Sequence, residues 1–273
     1  YAVTVHDPQR ISQKGPEWLH ELSVWAAYKP FSVVLVHGLD KARQWMPDNI
    51  LLRDIPHGLF DSSGKDKESF SEELDNELLP LRERLKLSAD TPIALAFGYV
   101  ADRKNLGIAI SAVAEIPGLN LIIAGRQASS SDRPVDYYRQ LANQIDVGNR
   151  VHFYEEYVPD HEVHFFFESA NLILLTYSGE FVSQSGVLHM SGDWSTPVVA
   201  ASGPGPLIET VAKYNLGISV APDSVESLVS GIEFILSGKQ GELGWERFRQ
   251  NASWKDNIEI LLEAVAEHEK ING

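Results

Sequence analysis

The chain lacks cysteine, long apolar runs and an excess of basic residues. None of its 273 residues is Cys, which excludes a disulfide scaffold and any thiolate-ligated zinc or iron–sulfur site. No apolar run approaches the roughly 18 residues that a membrane-spanning helix needs. The 23 Lys and Arg residues stand against 38 Asp and Glu residues, so the formal net charge is −15. Such a charge disfavours non-specific binding to nucleic acid, because no positive field attracts the phosphate backbone.

Several familiar catalytic motifs are also missing from the sequence. There is no G-x-x-x-x-G-K-S/T phosphate loop, no G-x-S-x-G nucleophile turn and no H-E-x-x-H zinc pair. No predicted strand is followed by a G-x-G-x-x-G dinucleotide fingerprint. These absences argue against P-loop, hydrolase, zinc and dinucleotide-binding proteins, so we expect no metal site.

The sequence does contain a regular alternation of strand and helix patterns. Hydrophobic residues make up 44% of the chain, and its length predicts one large or two ordinary domains at about 150 residues each. Short strand patterns separated by helical patterns of about 10–15 residues predict βαβ units, a parallel sheet and an α/β fold. The predicted strands include 92–97, 119–124 and 172–176, and the predicted helices include 105–116 and 160–169, the latter capped by Asp160.

One loop in this pattern is suited to bind an anion. Residues 98–105 leave a predicted strand, enter a predicted helix and carry Gly98 with the adjacent cations Arg103 and Lys104. A helix N-terminus offers free N–H groups, and the two cations would add charge-assisted hydrogen bonds to a phosphate. The alternative is an ordinary solvated turn with two surface cations.

A second loop, residues 178–187, has the same position between a strand and a helix. Its small residues, among them Ser185 and Gly186, would let a ligand approach the backbone and take its N–H groups. The alternative is a flexible Ser/Gly loop. His6 ends another predicted strand, where an imidazole could act in catalysis or serve as a polar turn residue.

Taken in order, these segments resemble the retaining nucleotide-sugar glycosyltransferases of GT-B architecture, known as glycosyl transferases group 1. The resemblance rests on FGYVADRKNL at 97–106, SANLILLTY at 169–177, QSGVL at 184–188 and TPVVA at 196–200. It covers nearly the whole chain, and its specificity lies in the order of the motifs. It implies a Rossmann-like parallel-sheet donor domain plus a partial N-terminal Rossmann-like domain.

The resemblance also implies a domain plan. Residues 1–58 would be the second half of an N-terminal, acceptor-side α/β domain, and 59–85 the interdomain linker. Residues 86–250 would form the C-terminal nucleotide-sugar donor domain, and 251–273 a helix that packs back on the N-terminal domain. Because the chain starts at Tyr1 in a strand pattern and lacks an upstream glycine loop, we expect it to start inside a fold, as a fragment or as a processed form.

Carried over by resemblance, the site residues have distinct roles. Lys104 would bind the donor diphosphate, Gly98 would allow its close approach, and His6 would lie near the transferred sugar as the catalytic residue. The remaining donor-binding residues would be Arg103, Glu180, Gln184, Ser185, Gly186 and Val187.

The sequence departs from the family pattern at three positions. Tyr99 stands where an Arg is common, and Arg103 is its expected substitute. The family's pair of glutamates falls on Val182 and Met190, so Glu180 or His189 would have to replace them.

The leading hypothesis is a retaining, metal-independent glycosyltransferase that uses a nucleotide-diphosphate sugar as substrate and needs no cofactor. Its acceptor would be an unknown glycan, lipid or protein, with no nucleic acid as partner. We expect a cytoplasmic location, with peripheral membrane attachment left open. The alternative is a non-catalytic nucleotide-sugar or protein-binding module of the same fold; a GT-B epimerase or phosphorylase has no positive support.

Overall fold

The computed structural model describes residues 1–5, 16–37, 46–56, 58–59 and 80–272. These residues divide into two compact units. The first holds the described residues of Tyr1–Leu59, together with Val182–Gln184 and Glu246–Gly273, and the second holds those of Phe60–Phe181 and Ser185–Trp245.

The described elements follow one another along the chain in the order that their numbers give. The strands are β1 Ala2–Val5, β2 Val33–Val36, β3 Leu51–Asp54, β4 Ile93–Phe97, β5 Asn120–Ala124, β6 Val151–Tyr154, β7 Leu172–Thr176, β8 Val198–Ala201 and β9 Gly217–Val220. The helices are α1 Glu17–Tyr28, α2 Leu81–Arg84, α3 Leu106–Glu115, α4 Val135–Gln144, α5 Val163–Ser169, α6 Gly186–Met190, α7 Pro206–Tyr214, α8 Val225–Leu236, α9 Trp245–Asn251 and α10 Trp254–Asn272. None of the helices within the described ranges is long and apolar enough to cross a membrane.

The first unit contains a parallel sheet of three described strands in the order β1-β2-β3. All four residues of the central strand β2 are buried, as expected for a strand covered on both faces. Helix α10 contributes Ala264 to a core cluster with Val33, Leu35 and Ile55. An ion pair between Arg53 and Glu267 also joins β3 to α10.

The second unit contains a parallel sheet of six described strands in the order β6-β5-β4-β7-β8-β9. Strands β4, β5 and β7 are buried along their whole length, which their continuous apolar sequences require. Helix α3 buries Leu106, Ala109, Ile110 and Val113 in the main core of this unit. Helix α8 packs beside α3 and against strands β7, β8 and β9.

The strand order of the second unit places a topological switch point between β4 and β7. From β4 the chain continues to β5 and β6 on one side, whereas from β7 it continues to β8 and β9 on the other. At such a point the two following crossovers diverge and leave a crevice at the carboxyl ends of the strands. The loops after β4 and β7 are therefore the place to look for a ligand site.

The α/β fold with parallel, Rossmann-like sheets confirms the prediction from the sequence, but two local predictions are wrong. Asp160 does not cap a helix: Asp160–Glu162 form a 3-10 turn, and its carboxylate accepts a hydrogen bond from Tyr157 instead. The helix predicted from Asn105 begins one residue later, because Asn105 has a left-handed backbone (φ 52°) that ends a separate 3-10 turn, Asp102–Lys104.

Candidate functional site

The loops after β4 and β7 are joined to each other directly. The Thr176 hydroxyl donates to the carbonyl oxygen of Lys104 at 2.8 Å, and the Ser178 amide donates to the carbonyl oxygen of Arg103 at 3.0 Å. The 3-10 turn that carries both predicted cations is thus held against the end of β7. This places the cations at the switch point of the sheet.

Gly98 is the point where three of the predicted site residues meet. Its φ of 84° lies in the left-handed region, which strains any residue with a side chain. A Cβ atom at this position would lie 3.1 Å from Lys104 Nζ and 3.5 Å from Val187 Cγ2. The structure therefore brings Gly98, Lys104 and Val187 together, from two different crossovers.

Lys104 directs its ammonium group into the protein. Its Nζ donates to the carbonyl oxygen of Phe97, the last residue of β4. It lines a small cavity whose other residues are Ala96, Phe97, Leu106, Leu174, Leu175, Thr176 and Tyr177. Burial, and to a smaller degree the charge of Arg103, lower the pKa of Lys104 to about 7. A nearby anion would stabilise the charged form of this lysine.

Arg103 has a different environment from its neighbour. It is exposed, and its positive charge is one of the smaller causes that lower the pKa values of Lys104 and Asp132. It therefore adds positive potential around the turn without entering the cavity.

The loop after β7 is fixed by a buried aromatic contact. The rings of Tyr177 and Phe181 stack with centroids 3.9 Å apart and an interplanar angle of 12°. The Tyr177 hydroxyl shares a 2.9 Å hydrogen bond with Ser185 Oγ, and burial raises the pKa of Tyr177. Ser185 immediately precedes α6, but its hydroxyl makes no capping hydrogen bond to that helix. The hydroxyl instead positions the start of α6, where Gly186 and Val187 lie.

The other predicted residues are placed separately. Glu180 lies exposed in the turn after β7, and His189 is buried within α6, at 2% exposure. Gln184 is half-buried and belongs to the short segment that groups with the first unit. His6 lies outside the described residues. Within the described ranges no group of three or more His, Asp and Glu residues is arranged to hold a metal ion.

Sequence reasoning missed Asp223, which lies in the loop between β9 and α8. Its carboxylate accepts hydrogen bonds from Asn105 Nδ2 at 2.7 Å and from the Gly179 amide at 2.8 Å. These partners belong to the loops after β4 and β7. The signal available in the sequence was its position in a Pro-Asp-Ser turn at the end of a predicted strand, which is a place for ligands in parallel sheets.

A cluster of aromatic and cationic groups at the same edge of the sheet was also missed. The Arg126 guanidinium lies 5.4 Å from the centre of the Tyr99 ring and donates weakly to its hydroxyl at 3.4 Å. Tyr157 is exposed, and Asp160 is the main cause that raises its pKa. These residues follow β4, β5 and β6, so the cluster extends the edge beyond the two loops.

A comparison with protein families gives one match to this chain. The profile of glycosyl transferases group 1 matches residues 80–257. The chain belongs to the glycosyl transferases group 1 family. The matched region spans both loops of the switch point and the turn that carries Asp223.

Relatives of this group 1 chain include both curated proteins and solved structures. A D-inositol 3-phosphate glycosyltransferase from Mycobacterium marinum is 27% identical over 187 residues, which are 66% of this chain but only 39% of the relative. Sucrose-phosphate synthase from Thermosynechococcus elongatus is 21% identical with a TM-score of 0.73, covering 99% of this chain and 67% of its own. Anabaena HepE in complex with UDP-glucose is 19% identical with a TM-score of 0.74. The match covers 97% of this chain and 72% of the HepE chain. The structural likenesses show a shared fold.

Proposed function

We propose that this group 1 chain provides the donor site of a retaining, metal-independent glycosyltransferase. The donor would be a nucleotide-diphosphate sugar, and the acceptor a hydroxyl group of a glycan, lipid or protein. The observation that carries the proposal is the meeting of Lys104 Nζ and Val187 at Gly98. This meeting lies at the switch point, where open parallel sheets bind their ligands.

The chemistry of Lys104 suits a diphosphate. Its ammonium group donates to the neutral carbonyl of Phe97, and the described residues provide no carboxylate partner for it. A diphosphate oxygen would replace this uncharged acceptor with an anionic one, so that both partners of the hydrogen bond carry charge. Gly98 leaves the space for that approach, and the amides of Gly186 and Val187 would donate from the second crossover.

Transfer requires that negative charge be stabilised on the leaving group. The bond between the anomeric carbon and the diphosphate oxygen breaks, the acceptor oxygen forms a bond to the same face of that carbon, and the acceptor proton then passes to the departing diphosphate oxygen. Charge therefore grows on the diphosphate, where Lys104 and Arg103 would stabilise it. We assign His6 to the region of the transferred sugar and Glu180 to donor binding, both as parts of this proposal.

The donor to test first is UDP-glucose. The structure of Anabaena HepE contains UDP-glucose, and its fold matches that of this chain. The chain spans 39% of the curated M. marinum relative, so that relative's substrates are hypotheses here. We further propose a cytoplasmic location, since a chain without cysteine fits a reducing compartment.

Calorimetric titration with UDP-glucose, UDP and uridine tests the donor site. We expect Lys104→Ala to weaken binding of UDP-glucose and UDP by about tenfold or more, as for a lost charge-assisted hydrogen bond. Uridine, which lacks phosphate, should bind the variant and the wild type equally. Lys239→Ala, which removes an exposed lysine elsewhere in the second unit, is the control and should bind all three ligands normally.

Two results would contradict the donor site. One is the absence of binding by UDP, GDP and ADP and their sugars at millimolar concentration. The other is an equal loss of uridine and UDP binding in Lys104→Ala, which would mean that Lys104 does not act on phosphate. Release of nucleoside diphosphate from the bound donor then separates an enzyme from the alternative, a non-catalytic binding module. That alternative is favoured by Val182 and Met190 at the family's two glutamate positions.

A further inference from the structure

One carboxylate joins three of the loops at the carboxyl edge of the larger sheet. Asp223, in the loop after β9, accepts from Asn105 in the loop after β4 through Oδ1, and from Gly179 in the loop after β7 through Oδ2. Asn105 directly follows Lys104, and Gly179 directly precedes Glu180. Asp223 thus reaches both loops that carry the predicted donor-binding residues, although it lies outside the diphosphate region itself.

The backbone at this carboxylate has an uncommon conformation. Asn105 and Asp223 both have left-handed conformations, with φ of 52° and 58°. Non-glycine residues hold such conformations only where the surroundings determine them. A Cβ atom on Gly179 would lie 3.0 Å from Asp223 Oδ2, so a larger residue at position 179 would crowd the carboxylate.

The bases of the same two loops are already joined without Asp223. Thr176 bonds to the Lys104 carbonyl, and the Ser178 amide bonds to the Arg103 carbonyl. Asp223 adds a second connection further along each loop, at Asn105 and Gly179. Its removal should therefore leave the fold and these two hydrogen bonds intact, but free Asn105 and Gly179 to move relative to each other.

We propose that Asp223 is a positioning residue of the donor site, which fixes Asn105 beside Lys104 and Gly179 beside Glu180 in the relative placement that one bound donor requires. This inference rests on the proposed function. Asp223 would act through Asn105 and Gly179 rather than by touching the donor. Its negative charge by itself would repel a diphosphate, so a favourable effect on binding has to come from its hydrogen bonds.

Both partners of Asp223 are N–H donors, and this makes a sharp test possible. Asp223→Gly removes the carboxylate and both of its hydrogen bonds, while glycine tolerates the left-handed backbone at this position. The pair Asp223→Asn with Asn105→Asp instead exchanges donor and acceptor: the NH₂ group at position 223 faces a carboxylate oxygen at position 105, and the amide oxygen at position 223 still accepts from Gly179. The exchanged pair has the same net charge and the same number of hydrogen bonds as the wild type.

The experiment compares wild type, Asp223→Gly and the exchanged pair by calorimetric titration with UDP-glucose and uridine. We expect Asp223→Gly to weaken UDP-glucose binding about five- to tenfold, as for lost hydrogen bonds to a charged group at a solvent-exposed site. Uridine binding should not change. The exchanged pair should return to within about twofold of wild type, and Glu226→Gln, which removes an exposed carboxylate from the first turn of α8, should not weaken binding.

Amide hydrogen exchange at Gly179 provides a readout without ligand. It should accelerate in Asp223→Gly and slow again in the exchanged pair. Unchanged or tighter UDP-glucose binding by Asp223→Gly would overturn the positioning role, since only charge would then be acting. If wild type binds no nucleotide, the proposed function falls and the donor-site role of Asp223 falls with it; if wild type binds and the exchanged pair is not rescued, the positioning role alone is wrong.

Discussion

Lys104 and Val187 both lie within 3.5 Å of the position that a Cβ atom on Gly98 would occupy. They belong to crossovers that leave the sheet on opposite sides of the switch point between β4 and β7. A cation and the start of a helix therefore face the same small region of backbone. The predictions below test whether that region binds a diphosphate.

The affinity for a nucleotide sugar should depend on pH through Lys104. Its pKa is lowered to about 7 by burial and then by Arg103, so above this pH the free protein holds the neutral amine. A bound diphosphate favours the ammonium form, so binding takes up a proton, and affinity should fall as pH rises from about 7 to 9, by up to about tenfold per unit. Titrations at pH 8 in two buffers of different ionisation enthalpy measure this proton uptake.

The neighbouring Tyr177 does not obscure the effect on proton uptake. Burial raises its pKa, so its hydroxyl remains neutral throughout this range. Lys104→Arg keeps a permanent charge at the site and should bind without proton uptake. Equal uptake in Lys104→Arg and wild type would assign the proton to another group.

The lowered pKa of Lys104 also predicts how the stability of the protein changes with pH. Between about pH 7 and the ordinary lysine value of 10.5, the unfolded chain binds a proton at Lys104 that the folded chain does not. The free energy of unfolding from this residue should therefore rise with pH in that range. Urea denaturation of wild type and Lys104→Met at pH 7 and pH 9.5 measures this rise. The free energy of unfolding of Lys104→Met should rise less with pH than that of wild type. An identical pH dependence in both proteins would contradict a lowered pKa of Lys104.

Gly98→Ala should damage both stability and diphosphate binding. The left-handed backbone strains alanine by about 1 to 2 kcal/mol, and the added methyl group would lie 3.1 Å from Lys104 Nζ. Gly118→Ala is the matched control, because Gly118 has a similar φ of 79° with nothing within 4 Å of its Cβ position. Both variants should lose stability in chemical denaturation, but only Gly98→Ala should lose UDP-glucose binding. Retained affinity in Gly98→Ala would show that the donor does not approach there.

The hydrogen bond between Tyr177 and Ser185 should stabilise the loop after β7. Tyr177→Phe and Ser185→Ala each leave one buried hydroxyl without its partner, and each should lower the free energy of unfolding by about 1 to 2 kcal/mol. The double variant removes both hydroxyls, so its loss should be smaller than the sum of the single losses. A double-mutant cycle in urea measures this coupling, and strictly additive losses would mean that the bond contributes nothing.

The sequence predicts local elements better than it predicts contacts between loops. Strands such as Ile93–Phe97 were found because continuous apolar residues are typical of a strand buried on both faces. The left-handed turn at Asn105 was missed because the strand and helix patterns on either side do not specify the backbone angles of the residue between them. Asp160 was assigned as a cap from its residue type alone, whereas its carboxylate accepts from Tyr157.

In the candidate site, too, the sequence connects residues within one motif but does not predict contacts between distant loops. Gly98 and Lys104 stand in one short motif, so the sequence alone connects them. Asp223 was not found, because its position beside Asn105 and Gly179 follows from the order of β4, β7, β8 and β9 in the sheet, which no local pattern specifies. The role of each site residue stays a prediction until the titrations are done.

The neutral partner of Lys104 also bears on selectivity. Because its ammonium donates to a backbone carbonyl, and no carboxylate of the described residues pairs with it, an incoming anion does not have to break an ion pair. Inorganic pyrophosphate would meet the same low barrier and should compete with the donor. Discrimination in favour of a particular sugar nucleotide must then come from groups that contact its base and its sugar.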